Sequence, residues 1–236
     1  MVFLNYALLT IMYTAMGLYF YAFCQLYKIF AYINIALRSL GKQFGQLLSI
    51  RHQQVLGQIP LEDVTRHLGV LNGMHFNCFC LTQRIFHLCE LSFAAIFLRL
   101  FTTNVRVIYQ VVWFLNHDIA ADTWILVNTF TVVFLYSWDM FLLMRVIDDL
   151  LSASRTTAHI LRQFTHNELQ LQANRNCIQT LTIFADYLRC HKLSFLICGF
   201  FHFNKEASLK YFFTVIVQVI VLVQFDMQRS LHNAEQ

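Results

Sequence analysis

Four apolar stretches divide the chain, and the segments between them are long, basic and themselves periodic. The first stretch runs from Val2 to Cys24, with no charged residue before Lys28. About 20 apolar residues cross the hydrocarbon core of a bilayer as a helix, so residues 1–24 predict a transmembrane span. The second, 88–115, is long enough but carries Glu90, Arg99 and Arg106. A charge at mid-bilayer costs at least about 2.5 kcal/mol, so these side chains are expected to face protein or water inside a bundle. The third, 123–144, is apolar except for Asn128 and Asp139. The fourth, Tyr211 to Phe225, reaches only about 22 Å as a helix. A snorkelling Lys210 and local lipid thinning are expected to make up the difference.

The intervening segments are of a different kind. Residues 25–87 mix Lys28, Arg38, Lys42, Arg51, Arg66 and Arg84 with an apolar stripe at Leu37, Leu40, Phe44, Leu47 and Leu48. This spacing predicts a helical extension in water or against protein, broken at Gly57 to Pro60. Residues 145–197 repeat the pattern, with Arg155, Arg162, Arg175 and Arg189. Lys28–Arg84 and Arg145–Lys192 together hold twelve of the 17 Lys and Arg residues, whereas the connection 116–122 holds none. The positive-inside rule therefore predicts that both long extensions are cytosolic and the short loop 116–122 is outside. With four spans, Met1 and the tail 226–236 then also lie outside. The predicted fold is all-α: a polytopic helical membrane protein with about four transmembrane helices and long cytosolic helical extensions.

Composition narrows the class further. Hydrophobic residues make up 58% of the 236 and charged residues only 13%, about half the charge of an ordinary soluble domain. The single Pro and seven Gly argue against a turn-rich β-barrel. The formal charge of +4 is spread along the chain rather than clustered, so no nucleic-acid partner is expected. The N-terminus lacks the basic n-region of a signal peptide. All seven cysteines fall in segments predicted to be membrane or cytosolic, where free thiols are expected.

Few residues invite a chemical reading. Cys78 and Cys80, with His75 and His87 nearby, hint at zinc. On a helix, however, i and i+2 point apart, and no second pair exists, so buried thiols are the expected state. No Ser/His/Asp order or H-E-x-x-H pattern supports catalysis, and no metal or other cofactor is expected. The adjoining Asp148 and Asp149 read as a solvated helix face. Arg99 and Asp139, on adjacent spans, are expected to form an ion pair inside the bundle. The last helix is more informative. Taking Thr214 as origin at 100° per residue, Gln218 sits at about +40°, Val221 at about −20° and Gln224 at about −80°. Three polar side chains thus share one arc of an otherwise apolar helix. Such an arc is either a helix–helix hydrogen-bonding face or a water-lined pore face, and the physics alone does not choose.

The segment Cys198-Gly199-Phe200-Phe201-His202-Phe203-Asn204, followed by an apolar helix through Val219-Ile220-Val221-Leu222-Val223 to Gln224-Phe225, resembles the C-terminal signature of insect gustatory receptors. That signature is a Gly-Phe-Phe-type turn, then Thr-Tyr, five hydrophobic residues, Gln and Phe. Gly199, Phe200, Gln224 and Phe225 match it, and Val217-Gln218 stand where the family has Thr-Tyr. The resemblance implies seven spans, an intracellular N-terminus and an extracellular C-terminus in the plasma membrane. The spans here would be the fourth to seventh, so the chain reads as N-terminally short. It also implies a ligand-gated cation channel responding to small-molecule tastants, a homo- or hetero-tetramer with other gustatory receptors. Its pore would be lined by the last helix, here through Thr214, Gln218, Val221 and Gln224. The segment 198–225 then combines the turn with this pore-type helix. A non-conducting helical interaction subunit, held among membrane lipid, is the alternative.

Overall fold

The structure is a computed structural model that describes residues 2–51, 59–116, 123–165, 175–199, 201–203 and 205–234. Five helices carry almost all of it: α1 (Val2–Arg51), α2 (Ile59–Asn116), α3 (Thr123–Thr165), α4 (Arg175–Cys190) and α5 (Lys205–Ala234). Between α4 and α5 lies a minimal antiparallel hairpin, β1 (Leu196–Ile197) and β2 (Phe201–His202), with Leu196 opposite His202 and Ile197 opposite Phe201. Four helices are long and apolar enough to cross a membrane: Thr10–Phe44, Glu62–Phe114, Val127–Gln163 and Glu206–Arg229. The chain is a multi-pass helical membrane protein.

Two lengths differ from the expectation. Each of the first three apolar stretches continues without a break into its basic neighbour, because nothing in α1, α2 or α3 interrupts backbone hydrogen bonding. Pro60 falls in the first turn of α2, where its missing N–H has no helical partner to lose. The helix that carries the last apolar stretch is longer than that stretch. Glu206 to Arg229 covers 24 residues, about 36 Å of helix. Apolar content had marked only its middle. Glu206 and Lys210 pair at 2.7 Å in its first two turns, and Asp226 and Arg229 lie beyond Phe225.

The chain forms two compact units. One comprises Gly17–Leu88 and Val146–Ser194. Its core draws Ile33, Leu37, Leu40 and Phe44 from α1, Val64, Leu68 and Leu71 from α2, Ile160 and Leu161 from α3, and Cys177, Leu181, Phe184 and Leu188 from α4. On α1, α2 and α4 the alternating spacings of three and four place each set on one helical stripe, the pattern of bundle packing, whereas Ile160 and Leu161 of α3 adjoin. Leu37, Leu40 and Phe44 are the expected stripe, while the side chains of Leu47 and Leu48 lie outside the described set. A polar clamp joins α1 to α3: Asn34 Nδ2 donates to the Ala153 carbonyl at 2.8 Å, and Thr157 Oγ1 donates to Asn34 Oδ1 at 2.7 Å.

The other unit comprises Met1–Met16, Cys89–Arg145 and Phe195–Gln236. It leaves Leu91, Leu98, Trp124, Phe134, Phe213 and Ile220 among its exposed apolar residues. Apolar surface of this extent is rare on a protein surrounded by water and is expected against lipid or a partner subunit.

Candidate pore helix and its anchorage

The chain enters α5 through the hairpin, and its sequence explains the turn. Cys198 and Gly199 have φ of 47° and 74°, both in the left-handed region, where the chain reverses. A Cβ at Gly199 would meet nothing within 4 Å, so glycine is needed there for its backbone freedom rather than for space. Phe203 N–H donates to the Phe195 carbonyl at 3.0 Å, extending the pairing by one rung. Phe195, Ile197 and Phe203 are buried, and Phe203 packs on Phe93 of α2 with ring centroids 5.5 Å apart. The turn is pinned to α2 by a charge-assisted bond: Cys198 N–H donates to Glu90 Oε1 at 2.5 Å. Glu90 stood out in the sequence as a charge entering an apolar stretch. It binds a backbone donor at the foot of that stretch.

Beyond the hairpin, α5 has two faces. Tyr211, Val215 and Val219 are buried in one cluster with Val105, joined by Phe97, Phe101, Ile108 and Val112 of α2. This packing face repeats every fourth residue and drifts only slowly around the helix. The other face carries the arc singled out above. Thr214, Gln218 and Gln224 are exposed and Val221 is half-buried. Thr214 Oγ1 donates to the Lys210 carbonyl of its own helix at 2.7 Å. Gln218 and Gln224 bond to no other described residue. The two faces are centred about 120° apart at 100° per residue, so the polar arc is not what packs α5 within the chain. Phe225 is 65% exposed, Gly199 is exposed, and Phe200 lies outside the described residues.

The packing face holds a polar group that the sequence reading passed over. Asn104 of α2 is only 2% exposed, amid apolar side chains. Its Nδ2 donates to Tyr211 Oη at 2.7 Å and to Ser137 Oγ of α3 at 3.1 Å, so one amide joins three helices. Tyr211 is held edge-on by Phe97 at 5.0 Å and Phe101 at 6.0 Å. The signal was present as a neutral amide inside the second apolar stretch, but attention to charge hides it.

Other expected pairings resolve differently. Arg99 and Asp139 do not pair among the described residues. Met140, Leu143, Met144 and Ile147 form the buried face of α3, and Asp139 lies about 90° from its centre, exposed. His75, Cys78, Cys80 and His87 form no ligand set, and no three His, Cys, Asp or Glu side chains converge for a metal among the described residues. All seven cysteines are free thiols. Burial pushes the Cys78 thiol up to about 11, well away from the thiolate a metal requires. His75 is fully buried between Phe30, Phe184 and Tyr187, at centroid distances of 5.2, 5.8 and 5.8 Å. Burial pushes its pKa down to about 4.

The sequence profile described as 7tm Chemosensory receptor matches residues 1–229. The chain belongs to that family. It is a family of chemosensory receptors. Among relatives, the Drosophila melanogaster protein "Putative gustatory receptor 58a" is 39% identical over 173 residues, covering 71% of this chain and 43% of that protein. "Putative gustatory receptor 58b" of the same organism is 26% identical over 220 residues, covering 89% of this chain and 52% of its own length. The chain thus spans about half the length of the curated relatives it matches.

Proposed function

We propose that this chain is part of a gustatory receptor subunit that forms a ligand-gated cation channel responding to small-molecule taste compounds. The reading rests on one observation above the others: the polar arc of α5 is left uncovered by the packing of its own chain. A helix that used Thr214, Gln218 and Gln224 to bond neighbours within the chain would bury them, since unsatisfied polar groups are costly against lipid. Copies of α5 arranged around an axis satisfy the arc with water instead, while the Tyr211–Val215–Val219 face stays on α2. The names of the relatives support the sensory class, and the tetramer is what the resemblance of the segment 198–225 implies. The charge bias supports a plasma-membrane orientation with 25–87 and 145–197 cytosolic and with 116–122 and the C-terminus outside.

Permeation is the test. In the full-length receptor expressed in a naive cell, Gln218→Lys and Gln224→Lys are expected to reduce cation current or shift the reversal potential towards anions. Ile216→Ala, exposed and about 140° from the centre of the arc, should leave both unchanged. Ligand-evoked currents with identical selectivity in both Lys variants would remove α5 from the pore. A receptor that reaches the surface and assembles, yet carries no current with any tastant, would instead favour a non-conducting interaction subunit.

A further inference from the structure

The Asn104 amide is unusual in what it leaves undone. Its Oδ1 is buried and has no hydrogen-bond partner among the described residues. The oxygen and nitrogen ends of an amide are assigned from their partners, so the assignment could be reversed. Reversal changes nothing essential. Hydroxyls both donate and accept, so whichever end faces Tyr211 and Ser137 takes both of them. The other end is then the orphan. Buried polar groups in native proteins are almost always satisfied, and an exception calls for an explanation.

Position supplies one. Asn104 holds α5 at Tyr211, three residues before Thr214, where the polar arc begins. Phe97 and Phe101 pack on the Tyr211 ring but do not engage its hydroxyl. The hydrogen bond therefore adds a directional restraint on the rotation of α5 that the ring contacts do not supply. In this arrangement half of the amide is bonded and half is not. An arrangement that turned α5, and let water or another polar group reach the free end, would recover what the present one forgoes. Such an exchange of partners would make the amide a two-position device.

We propose that Asn104 is a positioning residue that latches α5 through Tyr211 and Ser137 in the resting rotation of the polar arc, and that opening releases the latch. The proposal deepens the channel reading and rests on it for the word opening, but the latch itself is a property of α2, α3 and α5.

The test separates the two. In the full-length receptor, Tyr211→Phe keeps the ring and removes the hydroxyl. One neutral hydrogen bond corresponds to roughly a 2- to 13-fold change in an equilibrium. Tyr211→Phe should lower the half-maximal tastant concentration by a factor in that range, Asn104→Ala, which also loses the Ser137 bond, by at least as much, and both should raise the ligand-free current. Reversal potential should not move, because neither residue lies on the polar arc. The double variant should do no more than Asn104→Ala alone, since that change already removes the bond to Tyr211. Unchanged gating at normal surface expression, or additive effects, would overturn the latch. Labelling of a cysteine introduced at Gln218 gives a readout free of conduction. Its modification rate by a small maleimide should rise when Tyr211→Phe is added. If wild-type receptor carries no tastant current, the channel reading falls, and this rate alone decides the latch. An unchanged rate would overturn it.

Discussion

At the scale of single residues, backbone geometry and long-range hydrogen bonds determine how α5 begins. Gly199 has φ of +74° and open space around it. An L residue in the left-handed region costs roughly 1–2 kcal/mol, so Gly199→Ala should destabilise the detergent-solubilised protein by about that amount without any clash. A thermal melt would measure it, and an unchanged midpoint would mean that the turn relaxes freely. The Gly-Phe-Phe-type motif made this turn legible in the sequence. Its anchor was not, because Glu90 and Cys198 are 108 positions apart and no local pattern links them. The same limit applies to Asn104 and Tyr211, 107 positions apart. Charge proved a poor guide to pairing: Arg99 and Asp139 suggested an ion pair, yet helical phase turns Asp139 away from the packed face.

At the scale of elements, periodicity predicted more. The stripe Cys177, Leu181, Phe184, Leu188 on α4 is a bundle face that spacing alone identifies. Leu181 is buried at its centre, and Leu181→Ala should cost about 2–5 kcal/mol of unfolding free energy. Periodicity could not reveal that His75, on the same helix as the exposed Met74 and Phe76, is sealed beneath α4 with both ring nitrogens unpartnered among the described residues. Tyr187 beside it also lacks a partner for its hydroxyl, which burial and then Cys80 and Cys78 push up to about 12. The consequence for stability has a definite sign. The folded His75 pKa of about 4 lies below its ordinary 6.5, so the unfolded chain binds more protons between those values. Stability from neutral His75 is therefore complete above pH 6.5 and declines as pH falls towards 4, by up to about 1.4 kcal/mol per unit. His75→Phe should flatten that slope relative to wild type in melts run across the window. Parallel slopes would show that the buried ring is not what titrates.

At the scale of the whole molecule, the feature most legible in the sequence was the alternation of apolar and basic segments, and its physical cause is the bilayer. Four apolar helices are present among the described residues, and their direction across a bilayer is set by the charge of the segments that flank them. The connection 116–122 contains His117, Asp118 and Asp122 and no Lys or Arg, whereas Lys28–Arg84 and Arg145–Lys192 are basic. Positive loops are retained on the cytosolic side during insertion, so the hypothesis is that the α2–α3 connection faces outside and the far end of α3 faces the cytosol. Cysteine labelling decides this, provided the probe can be reached. Ser154 lies in the basic segment but is buried, whereas Gln163, nine residues further along α3, is exposed. On a background without native thiols, a cysteine at Asn116 should react in intact cells with an impermeant maleimide. One at Gln163 should react only after the membrane is opened. Reaction of the Gln163 probe from outside would invert the orientation, place the C-terminus of α5 in the cytosol, and leave the polar arc to be argued with its ends exchanged. Because α2 and α3 join directly through 116–122, the two probes must report opposite sides. Reaction of both from outside would mean that α3 does not cross the membrane.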